Sequence, residues 1–112
     1  MKQHKMTVEN MKSSNGNKVP NQFIISGYEH HGDANNHPMV TVKFKLFQSY
    51  KSAIAKIVYY DGTPTVILDP EYWDYSVTTK KYLNKFLGHS IQVTRDKIKS
   101  GEYTFADLNK GE

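Results

Sequence analysis

Four metal-capable side chains, His30, His31, Asp33 and His37, fall within eight residues. These residue types bind zinc and first-row transition metals. Two adjacent histidines do not readily face one ion, and Gly32, Asn35 and Asn36 leave the segment without stiffness, so the run reads as a solvated loop. A second set is acidic: Asp69, Glu71 and Asp74 are the types a paired-carboxylate hydrolase or a magnesium site uses. No glycine-rich phosphate loop or nucleophile elbow accompanies them, and Asp74 stands where it complements the positive end of a following helix. The hydroxyls of Ser76, Thr78 and Thr79 would need a base, and only a folded-back His89 could supply it; helix capping accounts for them better. The absence of cysteine excludes a thiol nucleophile, disulfides and a zinc ribbon. No nucleophile, base and orienting group come together, so an enzyme is not expected and no cofactor is implied.

Charge is the remaining chemistry. The formal net charge is only +4, but its distribution is uneven. From Asp61 to Ser76 there are four acids and no base; from Val77 to Lys99 there are six bases (Lys80, Lys81, Lys85, Arg95, Lys97, Lys99) and one acid, Asp96. Lys81 and Lys85 are one helical turn apart, as are Arg95 and Lys99, so each pair shares a face. Such faces are either the solvated sides of amphipathic helices or a basic surface for nucleic acid or an acidic protein groove. Between these blocks, Trp73 and Tyr75 are either plugs in the seam between sheet and helices or aromatic anchors for a partner.

The elements that must position these residues follow from periodicity and punctuation. A chain of 112 residues has room for one core. Residues 1–20 are polar around Ser13-Ser14-Asn15-Gly16-Asn17 and read as a flexible tail; they lack the apolar run of a signal peptide, so the expected compartment is the cytoplasm. Phe23-Ile24-Ile25 is a short strand, expected at a sheet edge, and Tyr28 to Pro38 a loop. Val40, Val42, Phe44 and Leu46 alternate with Thr41, Lys43 and Lys45, which predicts a half-buried strand with a solvated lysine face. Ala53–Tyr60 is a second strand, Asp61-Gly62 a tight turn, and Thr65–Leu68 the return, with Pro64 early in it. Ser76 and Gly88 bracket one helix with Tyr82, Leu83, Phe86 and Leu87 inward; Ser90 and Gly101 bracket another with Ile91, Thr94 and Ile98 inward. The expectation is an α+β domain over residues 21–112: a small antiparallel sheet of three to four strands, covered by a C-terminal pair of α-helices.

A set of strings carries a resemblance: Asn21-Gln22-Phe23-Ile24-Ile25, Phe47-Gln48-Ser49-Tyr50, Leu68-Asp69, Tyr72-Trp73-Asp74-Tyr75-Ser76 with Thr78-Thr79, Tyr82-Leu83-Asn84, Phe86-Leu87-Gly88, Ser100-Gly101-Glu102-Tyr103 and Leu108-Asn109. From about Asn21 onward the chain resembles a family of small proteins of unknown function encoded by phages and mobile elements of bacteria, with Glu29–Pro38 as an insertion. The resemblance implies a genomic setting and no catalytic residues. In that setting the expectation is a non-enzymatic, anti-CRISPR-like inhibitor acting in the host cytoplasm on a host protein or nucleoprotein complex, such as a CRISPR nuclease. The alternative is a small nucleic-acid-binding accessory module. Under either, the expected partner-binding residues are Lys80, Lys81, Lys85, Arg95, Lys99, Trp73 and Tyr75.

Overall fold

A computed structural model describes residues 6–31 and 40–110. The order is β1 (Thr7–Lys12), β2 (Lys18–His31), β3 (Val40–Ser49), β4 (Ser52–Tyr60), β5 (Thr63–Leu68), α1 (Val77–Leu87), α2 (Ile91–Ser100) and β6 (Thr104–Phe105). All six strands form one sheet in sequence order, antiparallel from β1 to β5, with β6 parallel to β5. The class is α+β with two C-terminal helices, but the sheet has six strands rather than three to four.

The extra strands lie where the sequence shows little apolar pattern. Residues Thr7–Lys12, expected as tail, form edge strand β1, which pairs with Phe23 to Ser26 of β2. Polar composition misleads here because an edge strand is held by its ladder and needs few apolar anchors. Met11 is the anchor, buried to 6% exposure in the core, and the Asn10 amide donates to the Val19 carbonyl at 3.0 Å. The polar centre Ser13–Asn17 is a closed hairpin loop, in which Ser13 N–H donates to the Asn17 carbonyl at 2.8 Å and Gly16 takes a φ of 82°. The Phe23 strand is therefore interior, and it runs on to His31 where a loop was expected.

The helices form as their punctuation predicts. Ser76 Oγ accepts from Thr79 N–H and Gly88 closes α1 at φ 81°; Ser90 Oγ accepts from Val93 N–H and Gly101 closes α2 at φ 84°. At the hairpin between β4 and β5, Asp61 and Gly62 take φ values of 51° and 81°, the left-handed pair a two-residue turn requires.

Register assigns the sheet faces. Ile24, Phe47, Ala55 and Leu68 are cross-strand neighbours on one face, and with Tyr82, Leu83 and Tyr103 they make the main core under the helices. Val42, Phe44 and Val58 form a second cluster on the opposite face, with Ile25, Leu46 and Ile67 against it. The lysine row of β3 thus shares its face with Phe47, on the helix side, and the apolar row points away from the helices. Between Phe47 and Gln48 the pairing with β4 slips, and the bulge lets Ile54 and Ala55, adjacent in sequence, both enter the main core. The backbone of Ala53, beside the slip, is paired by one side chain: Asn109 Oδ1 accepts from its N–H at 2.7 Å and Asn109 Nδ2 donates to its carbonyl at 2.9 Å.

Candidate functional site

The connector between sheet and α1 is built on Asp69, a carboxylate only 2% exposed. Its Oδ2 accepts from the N–H groups of Glu71 and Tyr72, each at 3.1 Å, and its Oδ1 from Leu108 N–H at 2.9 Å. A carboxylate committed to three backbone donors is a staple, and it draws the C-terminal segment onto the connector. Glu71 and Asp74 are exposed beside it. The staple sets the directions of three aromatics. Trp73 is half-buried on the main core, its ring 6.4 Å from that of Phe105. Tyr72 also leans on the core, and Tyr75, with its ring 5.6 Å from that of Tyr72, is 71% exposed. Of the two aromatics singled out from sequence, one fills the seam and the other stands in solvent.

The helical cations divide as well. Lys80, Lys81 and Arg95 line one groove between α1 and α2 together with Val77, Asn84 and Ile91, enclosing about 480 Å³. Among the described residues none of these three cations forms a salt bridge; the Lys81 ammonium lies 5.4 Å from the centre of the Tyr82 ring. Lys85 and Lys99 sit instead in the last turns of their helices, where a cation complements the helix dipole. Lys97 is committed: Glu102 accepts from it at 2.8 Å, which holds the ammonium above its ordinary pKa. His89 does not serve Thr78 or Thr79; its Nε2 lies 2.7 Å from the Tyr103 hydroxyl and its ring stacks on Tyr103. Burial pushes the Tyr103 phenol up, against the lowering effect of Lys97.

A second concavity adjoins the groove. Ser49, Tyr50, Ser52 and Ile54 of the β3–β4 hairpin face Tyr72, Tyr75, Ser76 and Thr79 around about 170 Å³. The first turn of α1 is the wall between the two, with Ser76 and Thr79 lining one side and Val77 and Lys80 the other. Tyr50 is the residue that sequence reasoning missed. Its φ is 55°, outside what a bulky side chain normally adopts, and its N–H donates to the Asn21 carbonyl at 2.6 Å. The break in alternation at Gln48–Ser52 is the signal that marks the turn; the strain at Tyr50 comes from the pairing of Ser49 with Ser52. Two side-chain oxygens buried without a hydrogen-bond partner among the described residues, Gln22 Oε1 and Asn84 Oδ1, border this region: Gln22 lies across from Ser49, and Asn84 lines the groove.

Only His30 and His31 of the histidine run are among the described residues. Asp33 and His37 lie outside the described residues. His30 and His31 end β2, with His31 Nε2 2.6 Å from Glu29 Oε2, and Glu29 Oε1 accepting from Lys56 at 2.7 Å. Burial opposes ionisation of Glu29, but hydrogen bonds from Lys56 and His31 outweigh it and hold the carboxyl below its usual pKa. Among the described residues no three metal-capable side chains gather, and no helix is long and apolar enough to cross a membrane.

A family of unknown function, DUF8033, matches the chain over residues 5–103, and the chain belongs to it. The match takes in β1 as well as the helices. Neither the curated proteins nor the solved structures contain a match to the chain.

Proposed function

We propose that this DUF8033 member is a non-catalytic binding protein whose α1–α2 groove receives a polyanion. The observation that carries the reading is the convergence of Lys80, Lys81 and Arg95 on one groove with no acid paired to any of them among the described residues. Three like charges around one groove repel one another, and among the described residues no carboxylate pairs with them to offset it. A partner bearing several negative charges removes that repulsion and adds steering at long range. Val77, 81% exposed on the groove's rim, supplies apolar contact that an ion atmosphere alone would not use. From the sequence resemblance we further propose that the protein is an accessory factor of a phage or mobile element. There it would occupy a host nucleoprotein complex, such as a CRISPR nuclease, and so inhibit it.

The test is charge reversal with a salt titration. Lys81→Glu with Arg95→Glu should leave the melting temperature within a few degrees of wild type and weaken polyanion binding at least tenfold. Because a few phosphates are neutralised, wild-type affinity should fall log-linearly with salt. For the inhibitory role, the nuclease-treated lysate of a CRISPR-bearing host is passed over wild type and double mutant. Recovery of the nuclease complex by wild type alone supports inhibition, whereas recovery of nucleic acid alone before nuclease treatment points to an accessory module. Full binding by the double mutant ends the proposal.

A further inference from the structure

We infer that the polyanion is single-stranded nucleic acid, with one unpaired base seated in the Tyr50–Tyr72–Tyr75 pocket and the adjoining phosphates running over the first turn of α1 into the Lys80–Lys81–Arg95 groove. The inference rests on the reading of the groove given above and names its ligand. The pocket of about 170 Å³ is lined by three tyrosines, Ile54, Ser49, Ser52, Ser76 and Thr79, and among the described residues no carboxylate or cation lines it. A lining of aromatic rings and hydroxyl-bearing side chains suits a flat, neutral ring with hydrogen-bonding edges. The groove next door has the opposite character, with three cations beside Val77, Asn84 and Ile91. One residue step, Ser76 to Val77, joins the neutral site to the cationic one. A neutral aromatic ring joined by a short link to an anionic chain is the chemistry of a nucleotide strand, and stacking platforms beside a basic track are how proteins hold single strands. In a duplex the bases are stacked and paired, so a pocket for one ring beside the backbone track is closed to it.

Tyr50 supplies an independent argument. It sits at the tip of a tight hairpin with φ 55° and 59% exposure. Glycine or asparagine would take that conformation with little strain. A bulky residue held there against its backbone preference, lining the pocket with Tyr72 and Tyr75, is the kind of strain that persists at ligand sites. Glu71 and Asp74, exposed on the connector, line neither cavity; their charge turns the phosphate track away from the connector and toward α2.

The experiment compares a labelled oligothymidine with an abasic strand of equal length and equal phosphate count, measured by anisotropy at low and physiological salt. Wild type should prefer the base-bearing strand by about fivefold or more, the scale of one stacked base, and should bind it more tightly than the matching duplex. Tyr50→Gly and Tyr75→Ala should each erase the preference while leaving affinity for the abasic strand unchanged. Tyr50→Gly relieves the left-handed strain, so its melting temperature should equal or exceed that of wild type; loss of discrimination in a variant at least as stable separates ligand contact from a folding defect. Lys81→Glu with Arg95→Glu should weaken both strands alike. Equal wild-type affinity for based and abasic strands, or tighter binding of duplex, overturns the base pocket while the groove stands. If no nucleic acid binds at low salt but the groove still captures an acidic protein surface, this inference falls and the polyanion reading survives. If the groove binds neither, both fall.

Discussion

Under the helices, Phe47, Ala55, Leu68 and Leu83 are all sealed to 0% exposure, each enclosed by a second layer of structure. On the other face Val42, Phe44 and Val58 are nearly as buried, at 7%, 8% and 1%, yet among the described residues no helix lies over them. Polar side chains of the sheet itself contribute cover: the Lys56 ammonium sits 5.1 Å from the centre of the Phe44 ring, Glu29 ties Lys56 to His31, and the Tyr60 hydroxyl lies 3.4 Å from His31 Nδ1. Long side chains can lay their stems on apolar surface and keep their heads in water. Equal burial therefore stands on unequal foundations. The helix side is held by packing and by buried backbone hydrogen bonds, the other by a smaller apolar cluster under a solvent-edged network of Lys56, Glu29 and His31. The groove and the pocket of the proposed ligand site both lie on the helix side.

The comparison is broken most directly at Phe47. Phe47→Ala should cost about 3–5 kcal/mol, as large aromatic truncations in sealed cores do, read from the urea midpoint at unchanged slope. A loss below about 1 kcal/mol would mean that the helices do not seal that face. Next is Asp69→Ala, which strips three backbone N–H groups of their acceptor at once. With the connector and the C-terminal segment released together, a loss of about 2–3 kcal/mol is expected. Amide exchange at Glu71, Tyr72 and Leu108 should accelerate selectively, whereas uniform acceleration across the domain would deny Asp69 its role as a local staple.

Both of these residues were partly legible. Alternation along β3 is plain in the sequence, but which row meets the helices depends on the bulge opposite Phe47 and on Ile54, neither of which leaves a local mark. Helix boundaries were legible because their causes are local: a hydroxyl at Ser76 or Ser90, a glycine at Gly88 or Gly101. β1 was hidden because its stability lies in pairing with Phe23 to Ser26, more than ten residues away along the chain, and Met11 is a single anchor in a polar run. At the candidate surface, helical spacing grouped Lys81 with Lys85 and Arg95 with Lys99, whereas the groove joins Lys80, Lys81 and Arg95. Spacing fixes faces within a helix; only the packing of α1 on α2 decides which faces meet. Tyr50 was invisible because backbone strain is imposed by the strands that close the turn.

The smallest effect sharpens the comparison from the bare side. Glu29→Gln keeps the shape of the side chain and removes its charge, so the Lys56 and His31 contacts weaken while Phe44 stays covered by the Lys56 stem. At neutral pH the loss should be about 0.5–1 kcal/mol, the scale of a part-exposed ion pair. Its pH dependence is the sharper signature. The partners hold the folded carboxyl below the reference value of 4.5, so the charged form is the one that folding favours. The stabilisation is therefore complete above about 4.5 and drains away as pH falls through the lower folded-state value. Wild type and Glu29→Gln should differ at neutral pH and converge in that acid window, and the gap should also narrow in high salt, because the pair is open to solvent. Urea midpoints for both proteins, taken from neutral pH down through that window, give the two curves. A gap that persisted below the window, or grew there, would place the stabilisation in shape and packing, and the two faces would then be held by the same means.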